Sequence, residues 1–353
     1  MSKKYRVAFI GAGRPIQTDG ATGFGMAHAH AQAYQKLDEC EPCAVADISQ
    51  GNADAFAERY SIPKTYTDYN RMLTEEKPDI VSICTWPHLH APMVIAAAEA
   101  GVRAVHCEKP MAPTWGEARA MVAACDQNGA QLSFNHQRRF LAPFQQARTI
   151  IRSGEIGPLE RLEAACGDLM DWGTHWIDML FFYNENRPAE WVIGQIDARE
   201  ERSTFGLRME SQAISHFKFK DGVRALVLTG FEANIGCANR IIGRDGVIEV
   251  GWGEPWLRIR GPKDAGWRVL PCAEGIHDGV GIDRAIANLV QCLESGEEPE
   301  LSGRKALQTS EIIFATYESS RRRGRVDLPL TADDSALLSM IGEGVIGPQG
   351  VGR

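Results

Sequence analysis

No run of apolar residues in this 353-residue chain is long enough to cross a bilayer. The first such stretch, Val7 to Ile10 behind a basic Met1–Arg6, is too short for a secretory signal and reads as a first strand. Surplus basic charge is lacking too. The formal net charge is −8, which leaves no surface to neutralise phosphates and argues against a general nucleic-acid binder. The one basic cluster, Arg321-Arg322-Arg323, ends a helical stretch, where cations complement the helix dipole. Nine cysteines occur without the spacing of a disulfide framework, so reduced thiols and a cytoplasmic setting are expected. Cys40-x-x-Cys43 lacks the partners that a zinc or redox site requires. The pairs His28/His30 and His88/His90 read as polar loop residues, and no metal is expected. Internal repeats and low-complexity segments are missing as well.

What is present is a globular composition, 44% hydrophobic and 24% charged, over a length that suits two domains. The first third alternates short apolar runs (Arg6–Ile10, Pro42–Ala46, Ile80–Cys84, Ala104–Cys107, Gln131–Phe134) with amphipathic segments (Gly51–Tyr60, Ala91–Ala100, Trp115–Gln127). That rhythm predicts a doubly wound parallel sheet over 1–135. Residues 136–157 read as a helix ending at Gly154 or Gly157. Longer alternating strands follow: Leu159–Ala165, Trp191–Arg199, Gln212–Phe219, Val223–Glu232, Arg240–Gly243, Val247–Val250 and Trp256–Gly261. Asp221-Gly222 and Asp245-Gly246 are hairpin signals between them. With helices near Ile282–Glu294 and Arg304–Arg322, residues 136–330 are expected to form an antiparallel, mixed α+β domain, followed by a polar tail over 331–353.

Gly11-Ala12-Gly13 follows the first strand directly, where a strand-to-helix turn cradles a pyrophosphate. Alone, a Gly-x-Gly is weak evidence. In place of a third glycine in register there is an inserted loop, 14–24, and the helix is expected to begin near Gly25-Met26-Ala27-His28. Asp47 ends the second strand about twenty residues after Ala27, the spacing of a carboxylate that accepts hydrogen bonds from the adenosine ribose. It would repel a 2′-phosphate, so NAD is expected over NADP.

Lys109 follows the strand Ala104–Cys107 and precedes Pro110. A lysine there, inside a cleft, can hold an alcohol oxygen and stabilise charge developing on it; from this segment alone, a surface lysine in a Lys-Pro turn is the plainer reading. A cis bond to Pro110 is compatible with the turn. Asp171 and His175 are four apart at the start of an expected helix, with Asp171 or Thr174 as N-cap, which would put both on one face. Imidazole exchanges a proton near neutral pH, so His175 is the natural general base. Taken alone, this pair reads as a capping carboxylate and a packed histidine.

In combination the motifs are recognisable. Gly11-Ala12-Gly13, Asp47, Thr85-Trp86-Pro87-x-x-His90, Glu108-Lys109-Pro110, Arg138-Arg139-Phe140 and Asp171-x-x-x-His175 together resemble the Gfo/Idh/MocA oxidoreductase family, which groups glucose–fructose oxidoreductase with inositol dehydrogenase. The likeness runs from residue 5 to about 330. It implies an N-terminal Rossmann domain and a C-terminal α/β domain whose large, mostly antiparallel open sheet often mediates homo-oligomerisation, with substrate between the two. It implies that Lys109, Asp171 and His175 fill the catalytic positions, and that cofactor lies against Gly11, Gly13, Gly25, Asp47, Thr85, Trp86, Pro87, His90, Glu108 and Lys109. Arg138 and Trp172 are candidate substrate contacts, Arg138 or Arg139 for an anionic group on a sugar. Two departures stand out: the 14–24 insertion, and Thr85-Trp86-Pro87-His88 where Thr-Pro-Asn is common.

The resulting expectation is an NAD-dependent oxidoreductase moving a hydride between nicotinamide and a hydroxyl-bearing carbon of a sugar, sugar acid or cyclitol. One alternative is a redox-neutral glycosidase that uses NAD for transient oxidation and elimination. Another is a non-catalytic dinucleotide sensor.

Overall fold

The computed structural model describes residues 4–15, 18–19 and 23–348. The chain divides into two compact units. The first comprises Met1–Pro113, Glu117–Gln137 and Gly279–Ala306; the second comprises Thr114–Gly116, Arg138–Asp278 and Leu307–Arg353. Of the 14–24 insertion, residues 16–17 and 20–22 lie outside the described residues, as do 349–353 of the tail. Among the described residues no helix is long and apolar enough to cross a membrane.

The first sheet is built in chain order from β1 (Tyr5–Ile10), α1 (Met26–Gln35), β2 (Cys40–Ala46), α2 (Gln50–Tyr60), β3 (Thr65–Tyr66), α3 (Tyr69–Glu76), β4 (Ile80–Ile83), α4 (His90–Glu99), β5 (Ala104–Cys107), α5 (Trp115–Asn128) and β6 (Gln131–Phe134). All its pairings are parallel and the strand order is β3-β2-β1-β4-β5-β6. Every residue of β4 and β5 is buried, which is why they read as continuous rather than alternating apolar runs. The order reverses between β1 and β4, the switch point at which open α/β sheets bind ligands.

The second unit carries α6 (Ala142–Ser153), β7 (Leu159–Cys166), α7 (Gly173–Tyr183), β8 (Ala189–Asp197), β9 (Arg202–Thr204), β10 (Leu207–Met209), β11 (Gln212–Phe219), β12 (Arg224–Gly230), β13 (Asn239–Gly243), β14 (Val247–Val250), β15 (Leu257–Arg260) and β16 (Arg268–Val269). In chain order α8 (Val280–Ser295), which belongs to the first unit, comes next, followed by α9 (Gly303–Arg322), β17 (Val326–Asp327) and α10 (Ala336–Gly342). The large sheet runs β16-β15-β14-β13-β7-β12-β11-β8-β17. Only β7–β12 pair in parallel; the other neighbours are antiparallel. Alternate residues of β11 (Ala213, Ser215, Phe217, Phe219) are buried. On that face Ser215 meets Thr316 of α9 at 2.7 Å, and the Gly194 N–H donates to Ser319 Oγ at 2.8 Å. The opposite face leaves Ile193 and Ile214 each 46% exposed.

Asp221-Gly222 joins β11 to β12 and Asp245-Gly246 joins β13 to β14, as their turn chemistry predicts. The helix expected over 136–157 is instead a 3-10 turn, Gln137–Phe140, followed by α6. Pro143 in the first turn of α6 has no N–H to continue a preceding helix. α6 ends at Gly154, whose φ of 76° suits glycine. Part of the expected polar tail forms α10, with Ala336, Leu337 and Met340 buried.

Candidate active site

Within the first unit the loops after β1, β4 and β5 meet at the carboxyl ends of adjacent strands. Gly11 has φ +87°, and a Cβ there would stand 2.7 Å from the Thr85 methyl, so only glycine lets the turn after β1 lie against the loop after β4. Gly13, at φ +58°, has nothing within 4 Å of a built Cβ and leaves an open approach to the backbone. α1 starts where expected, with Gly25 as N-cap and no side-chain cap hydrogen bond. Its first-turn N–H groups therefore suit a phosphate, and the turn as a whole fits a dinucleotide. Asp47 sits beside this turn but is already engaged. Oδ2 accepts the Ala12 and Gly13 N–H groups at 2.9 and 3.1 Å, and Oδ1 accepts the Ser49 N–H at 2.8 Å.

After β4, Trp86 is 41% exposed and its ring stands edge-on to His88 at 6.0 Å. Pro87 opens a short 3-10 turn that leads to His90. His90 and His30 were expected to be polar loop residues, but both are fully buried on helices. Each is enclosed by partners that tie elements together. His90 Nε2 faces the Thr85 carbonyl at 3.1 Å and its Nδ1 faces the Pro110 carbonyl at 2.9 Å, bridging the loops after β4 and β5. Burial lowers the His90 pKa. His30 Nε2 meets Glu108 Oε1 at 3.0 Å, and that oxygen also accepts Asn135 Nδ2 at 2.7 Å. Glu108 Oε2 accepts the Lys109 backbone N–H at 3.2 Å. The Lys109–Pro110 bond is cis. Glu108 is buried and Lys109 is partly exposed.

The second unit presents Asp171, Trp172 and His175 at the start of α7. Asp171 and His175 do not share a helical face, because α7 begins at Gly173 and Asp171 lies in the turn before it. Neither Asp171 nor Thr174 is the N-cap; Trp172 holds that position without a side-chain cap. The Asp168 carboxylate does the tying, accepting the Asp171 N–H at 2.6 Å and the Trp172 N–H at 3.2 Å. Nothing in the sequence pattern singled out Asp168. Beneath it, the fully buried Glu210 accepts the Leu169 N–H at 2.5 Å, the Thr229 hydroxyl at 3.1 Å and the Tyr317 hydroxyl at 2.8 Å.

The two arginines of Arg138-Arg139 part company. Arg139 forms a buried two-point pair with Asp178, at 2.8 and 2.7 Å. Arg138 is also buried, its guanidinium 4.8 Å over the Trp176 ring. Its Nη2 donates to His277 Nδ1 at 3.3 Å, while Nε and Nη1 have no hydrogen-bond partner among the described residues. Burial pushes Arg138 down to about 10 against the pull of the Asp171 charge. Trp172, 38% exposed, stands edge-on to His277 at 6.0 Å.

Known proteins share both the motifs and the architecture. Residues 5–136 match the Gfo/Idh/MocA family model, described as an oxidoreductase family with an NAD-binding Rossmann fold. The chain is 27% identical to a D-apiose dehydrogenase of Paraburkholderia graminis over 96% of its own length and 93% of that protein. A levoglucosan dehydrogenase solved with NADH and L-sorbose superposes with a TM-score of 0.79 at 21% identity, covering 93% of this chain and 100% of the other, which establishes the shared fold. Against a mouse (Mus musculus) trans-1,2-dihydrobenzene-1,2-diol dehydrogenase the identity is 33%, over 82% of this chain and 91% of that protein. Similarity of that degree and extent, added to the match across the first sheet, makes this chain a member of the Gfo/Idh/MocA oxidoreductase family.

Proposed function

We propose that this protein is an NAD-dependent dehydrogenase acting on a hydroxyl-bearing carbon of a sugar, sugar acid or cyclitol. The observation that carries the reading is the placing of Lys109 directly after β5, in the same sheet and at the same carboxyl edge as the glycine turn after β1. The alcohol-oxidising relatives, a D-apiose and a dihydrodiol dehydrogenase, support the substrate class. Gly11, Gly13 and the N-terminus of α1 would hold the pyrophosphate. The Asp47 carboxylate would disfavour a 2′-phosphate, which supports NAD over NADP. The exposed face of the large sheet, with Ile193 and Ile214, would serve self-association.

Bound there, NAD would supply the acceptor for the hydride that leaves the substrate carbon. Lys109 would hold the hydroxyl oxygen and stabilise the negative charge developing on it, His175 would take the hydroxyl proton, and Asp171 would orient His175. Arg138, with N–H groups to spare, and the partly exposed Trp172 ring are the substrate contacts of this reading. The test is incubation with NAD and a panel of sugars, polyols and aryl glycosides, following nicotinamide absorbance and released aglycone together. NADH growth with a free sugar or cyclitol is the expected result. Aglycone release without net NADH replaces this reading by the redox-neutral glycosidase. Lys109→Ala should lower turnover by roughly 10²- to 10⁴-fold with NAD binding retained; turnover at the wild-type rate removes Lys109 from the mechanism.

A further inference from the structure

Resting on that reading, we propose that His30 is a positioning residue for Lys109, acting through the buried carboxylate of Glu108. The ring lies at the heart of the first unit, fully buried on α1. It is met from β4 and the residue after it by Ser82 Oγ at 2.7 Å and Cys84 Sγ at 3.4 Å. From β5 and the turn after it, the His106 ring stands at 4.9 Å and Glu108 Oε1 at 3.0 Å. Glu108 is the hinge of the arrangement. One oxygen is shared by His30 and Asn135, and the other accepts the backbone N–H of Lys109. Groups from α1, β4 and the end of β6 thus converge on the turn from which Lys109 leaves the strand.

The charges support the same assignment. Burial opposes a charged His30, but the Cys84 sulfur and the Glu108 carboxylate outweigh it and raise the ring to about 10. Burial likewise opposes a charged Glu108, and the His30 hydrogen bond and charge outweigh it and hold the carboxyl at about 2. His106, driven to about 3 by burial and by the His30 charge, stays neutral. A buried carboxylate without its cation would find other donors or a proton, and the turn would lose its anchor. Displacing a catalytic amine by about 1 Å is enough to cost on the order of 100-fold in rate.

The experiment compares His30→Leu, His30→Gln, Glu108→Gln and the double variant His30→Leu/Glu108→Gln. Three readouts are taken: kcat and KM, NADH binding by fluorescence, and hydrogen exchange at the Lys109 amide. His30→Leu is expected to lower kcat by roughly 10- to 100-fold, with NADH affinity nearly unchanged and faster exchange at the Lys109 amide. His30→Gln, which keeps an N–H for Glu108, should recover most of both. In the double variant the two losses should not multiply, because one pathway has been cut twice. Leu and Gln variants that behave alike, or losses that multiply, overturn the proposal. If the wild type oxidises no polyol, the dehydrogenase reading fails on that result alone. Exchange at Lys109 then still decides between an anchored turn and ordinary core packing.

Discussion

The proposed function gives Asp47 two jobs that pull against each other. Its carboxylate already accepts three backbone N–H groups, from Ala12, Gly13 and Ser49, yet the NAD reading asks it to receive the ribose hydroxyls as well. A carboxylate has about four acceptor positions, so with three taken one ribose hydroxyl can be received as it stands and a second must share or displace one of the present bonds. Asp47→Ala is therefore expected to weaken NADH binding by roughly tenfold or more, the worth of a charged hydrogen bond. It should also narrow the preference for NAD over NADP, because the negative charge is gone. Fluorescence titration with both reduced cofactors measures this; an unchanged ratio would leave Asp47 as a turn anchor only. Glu210 offers a test by pH. Burial and the nearby Asp168 charge raise it from 4.5 to about 7. Between these values the folded protein keeps a proton that the unfolded chain has released. The contribution is thus complete below pH 4.5 and is lost as pH rises toward 7, a decline of about 3 kcal/mol. In Glu210→Gln, whose amide can accept from Leu169 and donate to Tyr317, this part of the slope should vanish. Urea midpoints at pH 5 and pH 8 for both proteins check it.

At the scale of elements, legibility followed how local the determining signal is. β6, β11 and β14 lie where the alternation or apolar runs put them, because burial of whole or alternate faces is written into neighbouring residues. β9, β10, β16 and β17, two or three residues each, are too short to carry a period of their own; β9 and β10 pair only with each other and β16 with β15, while β17 is held by the distant β8. α3 was likewise invisible: over Tyr69–Glu76 only Met72 and Leu73 are buried, too few to draw an apolar stripe. Around the candidate site the same division holds. Gly11 and Gly25 could be read from their place after a strand and before a helix. The turn conformation at Asp171 could not, because it is imposed by Asp168 and Glu210, the latter after a strand of a separate hairpin. His30 was read, with His28, as a polar loop residue, since a histidine looks the same in sequence whether it faces water or a buried carboxylate until the sheet brings Glu108 to it.

At the scale of the whole molecule the chain is interleaved, and this has consequences for folding. Residues Gly279–Ala306 return to the first unit after β7 to β16 and before β17, the last strand of the large sheet. α8 lays Ile282, Ile286, Leu289 and Val290 into the same core as Phe9, Tyr34 and Phe56, and Lys36 pairs with Asp283 at 2.6 Å. The exposed ion pair contributes little. The apolar contacts are another matter, since each fully buried side chain of this kind contributes about 1.5–3 kcal/mol, against about 5–15 kcal/mol for the stability of a whole domain. A fragment of residues 1–137 therefore lacks a share of its core comparable to its entire margin and is expected to be soluble only poorly, with no cooperative unfolding transition. Joining residues 279–306 to its end through a flexible linker should restore a cooperative transition, because loop closure costs only slowly more with length. Ile286→Ala in the full chain should destabilise the first unit by about 2–5 kcal/mol and unfold β1 and α1 together with α8, which hydrogen exchange resolved along the chain can detect. A 1–137 fragment that unfolds cooperatively without the returning segment would mean that the first sheet is sufficient by itself, and that α8 merely covers it.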